Sequence, residues 1–187
     1  MSKNDANKNG LEFERGTFLI EAITNTNLFD VKQGRKSAKI YEGEIYYKNS
    51  SERIARVVNG WGFYKDFLAK ECDIKTKSGF SVDNILSKNL EPDEALINYV
   101  SNHIYIIEKK YQNSQGSVDE KLQTCHFKLQ QYTKLIKDTK FELSYFYLLD
   151  DFYNDKKYTD VFTYIRENDC DYFFQKIPLD KVGLYAK

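Results

Sequence analysis

Two short apolar runs separated by a few residues constrain the fold of this chain more than any other feature. Residues 96–99 and 104–107 are rich in β-branched and aromatic side chains, which favour strands. A tight connection at Val100 and Ser101 would join them as an antiparallel hairpin, in which residues whose numbers add to about 201 face each other. Asp93 then lies opposite Glu108 at the open end of the hairpin.

Charged side chains gather at this open end. Directly opposed residues of an antiparallel pair have Cβ atoms roughly 4.5–5.5 Å apart, and strand alternation puts Glu108, Lys110 and Gln112 on one face. Two carboxylates this close repel each other unless a proton or a cation lies between them. Because Mg²⁺ prefers carboxylate oxygens and water as ligands, the hairpin predicts a Mg²⁺ site at Asp93 and Glu108.

The sequence Pro92-Asp93, then a hairpin, then Glu108-Lys109-Lys110 resembles the PD-(D/E)XK nuclease superfamily. The chain around it is similar to a small Type II restriction endonuclease over roughly residues 92–184, including the segments 116–123 and 177–184. The resemblance implies an α/β fold of the restriction-endonuclease-like type, with a mixed β-sheet flanked by helices. The alternative is that these are ordinary solvated charges at strand ends, in a chain that is 30% charged.

The resemblance also implies the catalytic roles. Asp93 and Glu108 would bind Mg²⁺ together with the backbone carbonyl of Lys109, and Lys110 would orient or deprotonate the attacking water. The metal would lower the pKa of that water and act as a Lewis acid. Gln112 is a further candidate for contact with the phosphate or the water.

Many members of the superfamily add a glutamate from the first helix to the metal shell. Glu14 and Glu21 are the candidates here, and Glu21 is preferred; the alternative is that both are solvated charges. Glu94, the next residue, is the alternative to Asp93 as a metal ligand. Its side chain should point to the opposite strand face, where a structural role is expected. The two histidines, His103 and His126, have no partner at zinc or nucleophile spacing and are interpreted as structural or surface residues.

Two segments are candidates for DNA contact. One is a predicted basic loop at 31–39, and the other follows the catalytic strand directly; a solvated loop and a simple turn are the alternatives. The candidate residues are Lys32, Arg35, Lys36, Lys39, Asn113, Ser114 and Gln115. The formal net charge of zero argues against a nucleic-acid role, although a surface with separate basic and acidic sides can still bind DNA.

The chain of 187 residues fits one domain. We predict a flexible polar tail at 1–10 and a nuclease domain at 11–187, with its catalytic core at about 90–184. Apolar periodicity predicts helices at 11–28, 50–58, 61–71, 118–137 and 159–167, and strands at 40–47, 93–99, 103–112, 141–149 and 172–177. A capping box, with Ser117 as N-cap and Glu120 three residues later, supports the helix at 118–137.

Several other classes are excluded or disfavoured by the sequence. The three cysteines lack metal-ligand spacing and are expected to be reduced, buried thiols. Neither an apolar run of about eighteen residues nor a signal-peptide core is present, so we expect no membrane segment and a cytoplasmic location. No phosphate-binding glycine motif or serine-hydrolase motif supports another chemistry.

The resulting hypothesis is a Mg²⁺-dependent Type II restriction endonuclease that cuts double-stranded DNA at a short specific sequence. A small enzyme of this kind is expected to act as a homodimer on a palindromic site, with a companion DNA methyltransferase encoded nearby. One alternative is a structure-specific repair or recombination nuclease of the resolvase type. Another is a non-catalytic or partner-dependent DNA-binding subunit on the same fold.

Overall fold

A mixed β-sheet carries the fold, and its strands lie side by side in chain order. The computed structural model describes residues 3–74, 85–112 and 118–186 of the chain. Among these residues the sheet has seven strands: β1 (Phe29–Lys36), β2 (Tyr41–Tyr47), β3 (Arg53–Val58), β4 (Glu94–Asn98), β5 (His103–Lys110), β6 (Glu142–Leu149) and β7 (Cys170–Phe174). Strands β1 to β5 are antiparallel, whereas β6 and β7 run parallel to β5.

Helices lie before the sheet and in its connections. They are α1 (Lys3–Gly16), α2 (Leu19–Thr26), α3 (Gly60–Gly62), α4 (Val118–Leu122), α5 (Cys125–Ile136) and α6 (Thr159–Glu167). A π-helical stretch, Phe63–Leu68, continues α3, and short 3₁₀ turns occur at Asp151–Tyr153, Lys156–Tyr158 and Leu179–Val182. The connections through α4–α5 and through α6 allow β5, β6 and β7 to run parallel, since parallel neighbours require a long crossover.

The central strands are buried on both faces, which gives the molecule two apolar clusters. Ala95, Ile97 and Ile106 belong to one cluster, with the π-helical stretch and α5. Leu96 and Ile107 belong to the other, with α2 and the C-terminal turn. Strand alternation thus assigns successive residues of β4 and β5 to opposite layers, and the architecture is the expected α/β fold with helices on both sides of a mixed sheet.

The hairpin predicted from the sequence is confirmed in its register. Glu94 pairs with Ile107 and Asn98 with His103, so the residue numbers of each pair add to 201. The connection carries an αL residue at Asn102, a conformation that asparagine tolerates better than most residues. The strand at 40–47, the helices at 61–71 and 159–167 and the strand at 141–149 also match the structure closely.

Three predictions for the N-terminal third differ from the structure. Residues 3–10, predicted to be a tail, are the first part of α1, and the predicted loop at 31–39 is mostly β1. Strand β1 is largely exposed because it lies at the edge of the sheet, where its one partner among the described strands is β2. The predicted helix at 50–58 is β3, whose apolar residues Ile54 and Val57 are buried between two neighbouring strands.

Two predicted helices are each divided in the structure. The helix expected at 11–28 breaks between α1 and α2, where the backbone N–H of Leu19 donates to the carboxylate of Glu94 at 3.1 and 3.3 Å. The helix expected at 118–137 breaks after Leu122 and resumes at Cys125. The capping residue Ser117 lies outside the described residues.

A buried ion pair joins the N-terminal helices to the central hairpin. Lys109 Nζ lies 2.9 Å from Glu94 Oε2, and both side chains are almost completely inaccessible to solvent. Lys109 Nζ also donates to the backbone carbonyl of Glu14 at 3.1 Å and lies 4.6 Å from the ring centre of Phe18. Burial raises the pKa of Glu94, and the positive charge of Lys109 opposes that shift.

We predict that Glu94→Ala lowers the free energy of unfolding by about 3–5 kcal/mol, because it leaves the Lys109 charge buried without its partner. The double variant Glu94→Met with Lys109→Met should lose less than the single variant, since it leaves no unpaired charge. Urea unfolding measures both. Lys70→Ala is the control, because Lys70 is exposed in its pair with Asp66 and its loss should cost less than about 1 kcal/mol. Equal losses in Glu94→Ala and Lys70→Ala would contradict this account.

Candidate active site

Asp93 and Glu108 meet at the open end of the β4–β5 hairpin, as the register predicts. Asp93 immediately precedes β4, and its Oδ2 accepts a hydrogen bond from the backbone N–H of Lys109 at 2.7 Å. This bond holds the Asp93 carboxylate against β5. Since residues alternate along the strands, Asp93, Glu108 and Lys110 belong to the face that carries α5, opposite the Glu94–Lys109 pair.

Two lysines converge on one oxygen of Glu108. Lys110 Nζ lies 2.6 Å and Lys128 Nζ lies 2.7 Å from Glu108 Oε1. Burial alone would raise the pKa of Glu108, but the charges and hydrogen bonds of the two lysines outweigh it and lower that pKa below its ordinary value. Glu108 is therefore ionised across the neutral pH range.

The pKa of the neighbouring carboxyl group, that of Asp93, shifts in the opposite direction. Burial, followed by the negative charge of Glu108, raises the pKa of Asp93 to about 6, although Lys110 and the Lys109 N–H oppose the shift. Two adjacent carboxyl groups whose pKa values move apart are typical of sites that perform acid–base chemistry or bind a cation.

Lys128 is the functional candidate that the sequence did not reveal. It lies on α5. Its contact with Glu108 joins residues twenty positions apart, so no local spacing marks it. The crossover from β5 to β6 brings α5 over the face of the sheet that carries Glu108.

Of the two glutamates from the N-terminal helices, Glu14 is the one that the structure places near the hairpin. Glu14 lines a cavity of about 380 Å³ together with Asp93, Lys39 and Trp61, and its charge contributes to the raised pKa of Asp93. Glu21 is exposed on α2. The structure therefore favours Glu14 over the preferred Glu21 as the acidic neighbour of Asp93.

A second cavity, of about 730 Å³, lies beside the first and shares Glu14, Lys39 and Lys109 with it. Lys110 and Lys121 add positive charge to its wall. Phe13 and Tyr111 add an aromatic pair whose ring centres are 5.9 Å apart. The cavities together form an open region along α1 that reaches the candidate site and carries several cationic side chains.

The four basic residues proposed for DNA contact have different surroundings. Lys32 lies 3.8 Å from Glu44, and Lys36 Nζ lies 3.9 Å from the ring centre of Tyr41. Arg35 forms a close ion pair with the buried Glu42. Lys39 alone of these four lines both cavities.

The segment after β5 is described only in part. Strand β5 ends at Lys110, so the alternation that placed Gln112 with Glu108 does not extend to it. The backbone N–H of Gln112 donates to Asp150 Oδ2 at 3.4 Å. Asn113, Ser114 and Gln115 lie outside the described residues.

A family model described as a PD-(D/E)XK nuclease superfamily domain matches residues 33–138, more than half of the chain. The chain belongs to the PD-(D/E)XK nuclease superfamily. The match contains Asp93, Glu108, Lys110 and also Lys128. No curated protein and no solved structure shows a significant match.

The extent of the match bears on the organisation of the PD-(D/E)XK domain. It begins at residue 33 in β1 and therefore includes β2 and β3. The predicted catalytic core began only at about residue 90. That residues 11–187 form a single nuclease domain remains a prediction.

The candidate site offers oxygen ligands from two carboxylates. Within the described part of the chain, no three His, Cys, Asp or Glu side chains lie close enough to form a metal centre by themselves. A cation at Asp93 and Glu108 would therefore need further ligands from the backbone, water or substrate, which is the usual way in which Mg²⁺ is bound.

The remaining sequence predictions concern residues outside this site. His103 Nε2 lies 2.8 Å from Ser144 Oγ, and His126 Nδ1 lies 2.6 Å from Asn168 Oδ1. The three cysteines are free thiols, two of them buried. Among the described residues, no helix has the length and apolar character needed to cross a membrane.

We predict that Asp93→Asn stabilises the metal-free protein at pH 8. The raised pKa of Asp93 means that folding favours its neutral form, so that stabilisation is complete below about pH 4 and is lost as the pH rises through about 6. Asparagine stays neutral, and the variant should exceed the wild type by about 1–3 kcal/mol at pH 8. Urea unfolding in EDTA at pH 4 and 8 measures the difference, which should vanish at pH 4. A variant that is less stable than the wild type at pH 8 would contradict the shift.

Proposed function

We propose that this PD-(D/E)XK protein is a Mg²⁺-dependent Type II restriction endonuclease that hydrolyses double-stranded DNA at a short specific sequence. The observation that carries the proposal is the convergence of Asp93, Glu108 and Lys110 at one end of a hairpin. Membership of the nuclease superfamily supports phosphodiester hydrolysis as the reaction.

The ligand set suits a hard divalent cation, and PD-(D/E)XK nucleases typically use divalent metal ions. Asp93, Glu108 and the backbone carbonyl of Lys109 would hold it, with Glu14 nearby. Burial, and after it the negative charge of Glu108, raises the pKa of Asp93, and a cation between the two carboxylates would relieve their repulsion. When bound, Mg²⁺ would activate a water molecule and neutralise charge on the phosphate.

Lys110 would orient or deprotonate the attacking water. Its Nζ donates to Glu108 Oε1 at 2.6 Å and to the Lys109 carbonyl at 3.3 Å, both of which are proposed ligand oxygens. As an ammonium group, Lys110 can therefore orient a water molecule beside these oxygens and place positive charge beside the developing phosphorane. Acceptance of the water's proton would instead require the neutral amine.

Lys128 extends the site toward the phosphate. Two ammonium groups share one oxygen of Glu108, and they repel both each other and any cation that Glu108 binds. We infer that Lys128 leaves Glu108 when the cation binds and donates to a phosphate oxygen of the substrate, where a fixed positive charge lowers the barrier.

The two cavities along α1 give the DNA backbone a path to the site. Lys39 and Lys121, together with Lys110, would neutralise phosphates on either side of the scissile bond. Lys32, Lys36 and the segment 113–115 remain candidates for further contacts. One site cuts one strand, so the proposal includes a homodimer on a palindromic sequence and a companion methyltransferase that protects the host site.

The proposed function predicts that purified protein cuts unmethylated phage DNA into discrete fragments with Mg²⁺ and leaves it intact in EDTA. Lys110→Ala and Asp93→Ala should each abolish cutting while leaving DNA binding largely intact, because they remove catalytic groups and not the fold. Gel electrophoresis and a binding assay in Ca²⁺ measure both properties. A smear, or preference for branched DNA, would indicate a structure-specific nuclease. No cutting under any condition would favour a partner-dependent subunit.

The second prediction concerns Lys128→Met, which should bind the metal more tightly and cut more slowly. Removing one positive charge near the cation should raise Mn²⁺ affinity roughly 5-fold, whereas losing a phosphate contact should lower kcat by about 10²-fold. Lys134→Met is the matched control, since Lys134 is exposed on the same helix. Weaker metal binding in Lys128→Met would mean that Lys128 supports Glu108 as a ligand rather than competing with the cation.

A further inference from the structure

The loop that follows β3 is hydrogen-bonded to the backbone immediately before β4. The side-chain amide of Asn59 donates a short hydrogen bond from Nδ2 to the backbone carbonyl of Asp93. The next backbone N–H, of Gly60, donates to the carbonyl of Pro92 at 2.8 Å. Two successive donors thus hold the dipeptide that contains the candidate metal ligand, from a position 34 residues earlier in the chain.

The orientation of Asn59 is itself fixed. Its side chain is buried, and its Oδ1 accepts a hydrogen bond from the backbone N–H of Tyr41 at 3.2 Å. Because Oδ1 faces a donor, Nδ2 must be the atom that faces the Asp93 carbonyl. The backbone N–H of Asn59 donates to Glu42 Oε1 at 3.1 Å, which holds the residue from the other side.

Glu42 is a buried carboxylate that is held in one position. Arg35 donates to it through Nε and Nη2, each at 2.7 Å, in the bidentate geometry that restricts a carboxylate most strongly. The absence of a side chain at Gly62 allows this packing, since a Cβ there would overlap Glu42 Oε1 and Arg35 Nη2. A buried charge with three donors is well compensated.

We propose that Asn59 is a positioning residue for Asp93 and that Glu42 and Arg35 keep Asn59 in place. This inference rests on the proposed function, because it gives the network a catalytic purpose. Asp93 lies just outside β4, so strand pairing alone does not fix its backbone; the Asn59 and Gly60 hydrogen bonds do so on one side, and the Lys109 N–H holds its carboxylate on the other. Arg35, predicted from sequence to contact DNA, would then serve the site through its ion pair with Glu42.

The test compares Asn59→Ala with Asn98→Ala. Asn98 is a matched control because it is equally buried, lies at the opposite end of β4, and also bonds to backbone groups, namely the carbonyls of Val182 and Gly183. The ¹⁵N–¹H NMR signal of Lys109 reports directly on the hydrogen bond to Asp93. We expect Asn59→Ala to shift this signal and to lower its protection from hydrogen exchange at least 10-fold, with no such change in Asn98→Ala.

Kinetics provide the second readout. Asn59→Ala should lower kcat about 10- to 100-fold, the usual effect of removing a partner that orients a ligand, with KM for DNA changed less than 2-fold. Glu42→Gln, which retains an acceptor for the backbone N–H of Asn59, should lower kcat in the same way but less. It replaces Asn59→Ala as the test variant if Asn59→Ala does not fold. Thermal melting confirms that each variant is folded.

The outcomes separate the two proposals. Equal effects of Asn59→Ala and Asn98→Ala on the Lys109 signal and on kcat would overturn the positioning role. A lower kcat with an unchanged Lys109 signal would also overturn it, since Asn59 would then act in another way. A shifted Lys109 signal in a protein whose wild type never cuts DNA would defeat the proposed function and leave the structural link between Asn59 and Asp93 intact.

Discussion

The buried ion pair of Glu94 and Lys109 is the interaction on which the candidate site depends. Glu94 follows Asp93 directly, and Lys109 lies between Glu108 and Lys110. Because successive strand residues point to opposite faces, fixing Glu94 and Lys109 on one face fixes the active-site residues on the other. The same pair ties α1 and α2 to the hairpin through the carbonyl of Glu14 and the N–H of Leu19. The pair therefore connects the N-terminal helices to the hairpin whose other face carries the candidate site.

The electrostatics of the site are balanced in the metal-free protein by protons and lysines. Two lysines lower the pKa of Glu108, whereas Asp93 is left to take up a proton near pH 6. Under the proposed function, Asp93 and Glu108 would hold a divalent cation, and Lys128 would turn from Glu108 to the substrate phosphate. Cation binding, ionisation of Asp93 and the position of Lys128 would then be coupled.

How well each part of the structure could be predicted depends on how strong the apolar pattern of that segment is. The hairpin register could be predicted because apolar runs on both strands and a short connection leave one consistent pairing. The edge strand β1 could not, since its polar sequence has no alternation and its conformation comes from pairing with β2. Lys128 and Asn59 were also missed, because each reaches the site through tertiary packing rather than through sequence spacing. The sequence therefore predicts the site residues that lie on the two strands of one hairpin. It does not reveal the residues that only tertiary packing brings to the site.

A formal net charge of zero is less informative about DNA binding than it first suggests, because many of the positive charges are already paired. Arg35 is neutralised by Glu42 and Arg56 by Glu71, while Arg53 lies against both Glu44 and Glu71. Two of the lysines that line the cavities along α1 differ from these arginines, because within the described residues Lys39 and Lys121 form no ion pair. Phosphate binding depends on such local charge at short range, since salt screens the rest over about 10 Å. Lys39 and Lys121 therefore present positive charge beside the site, although the chain as a whole is neutral and Glu14, Glu91 and Asp93 also line the first cavity.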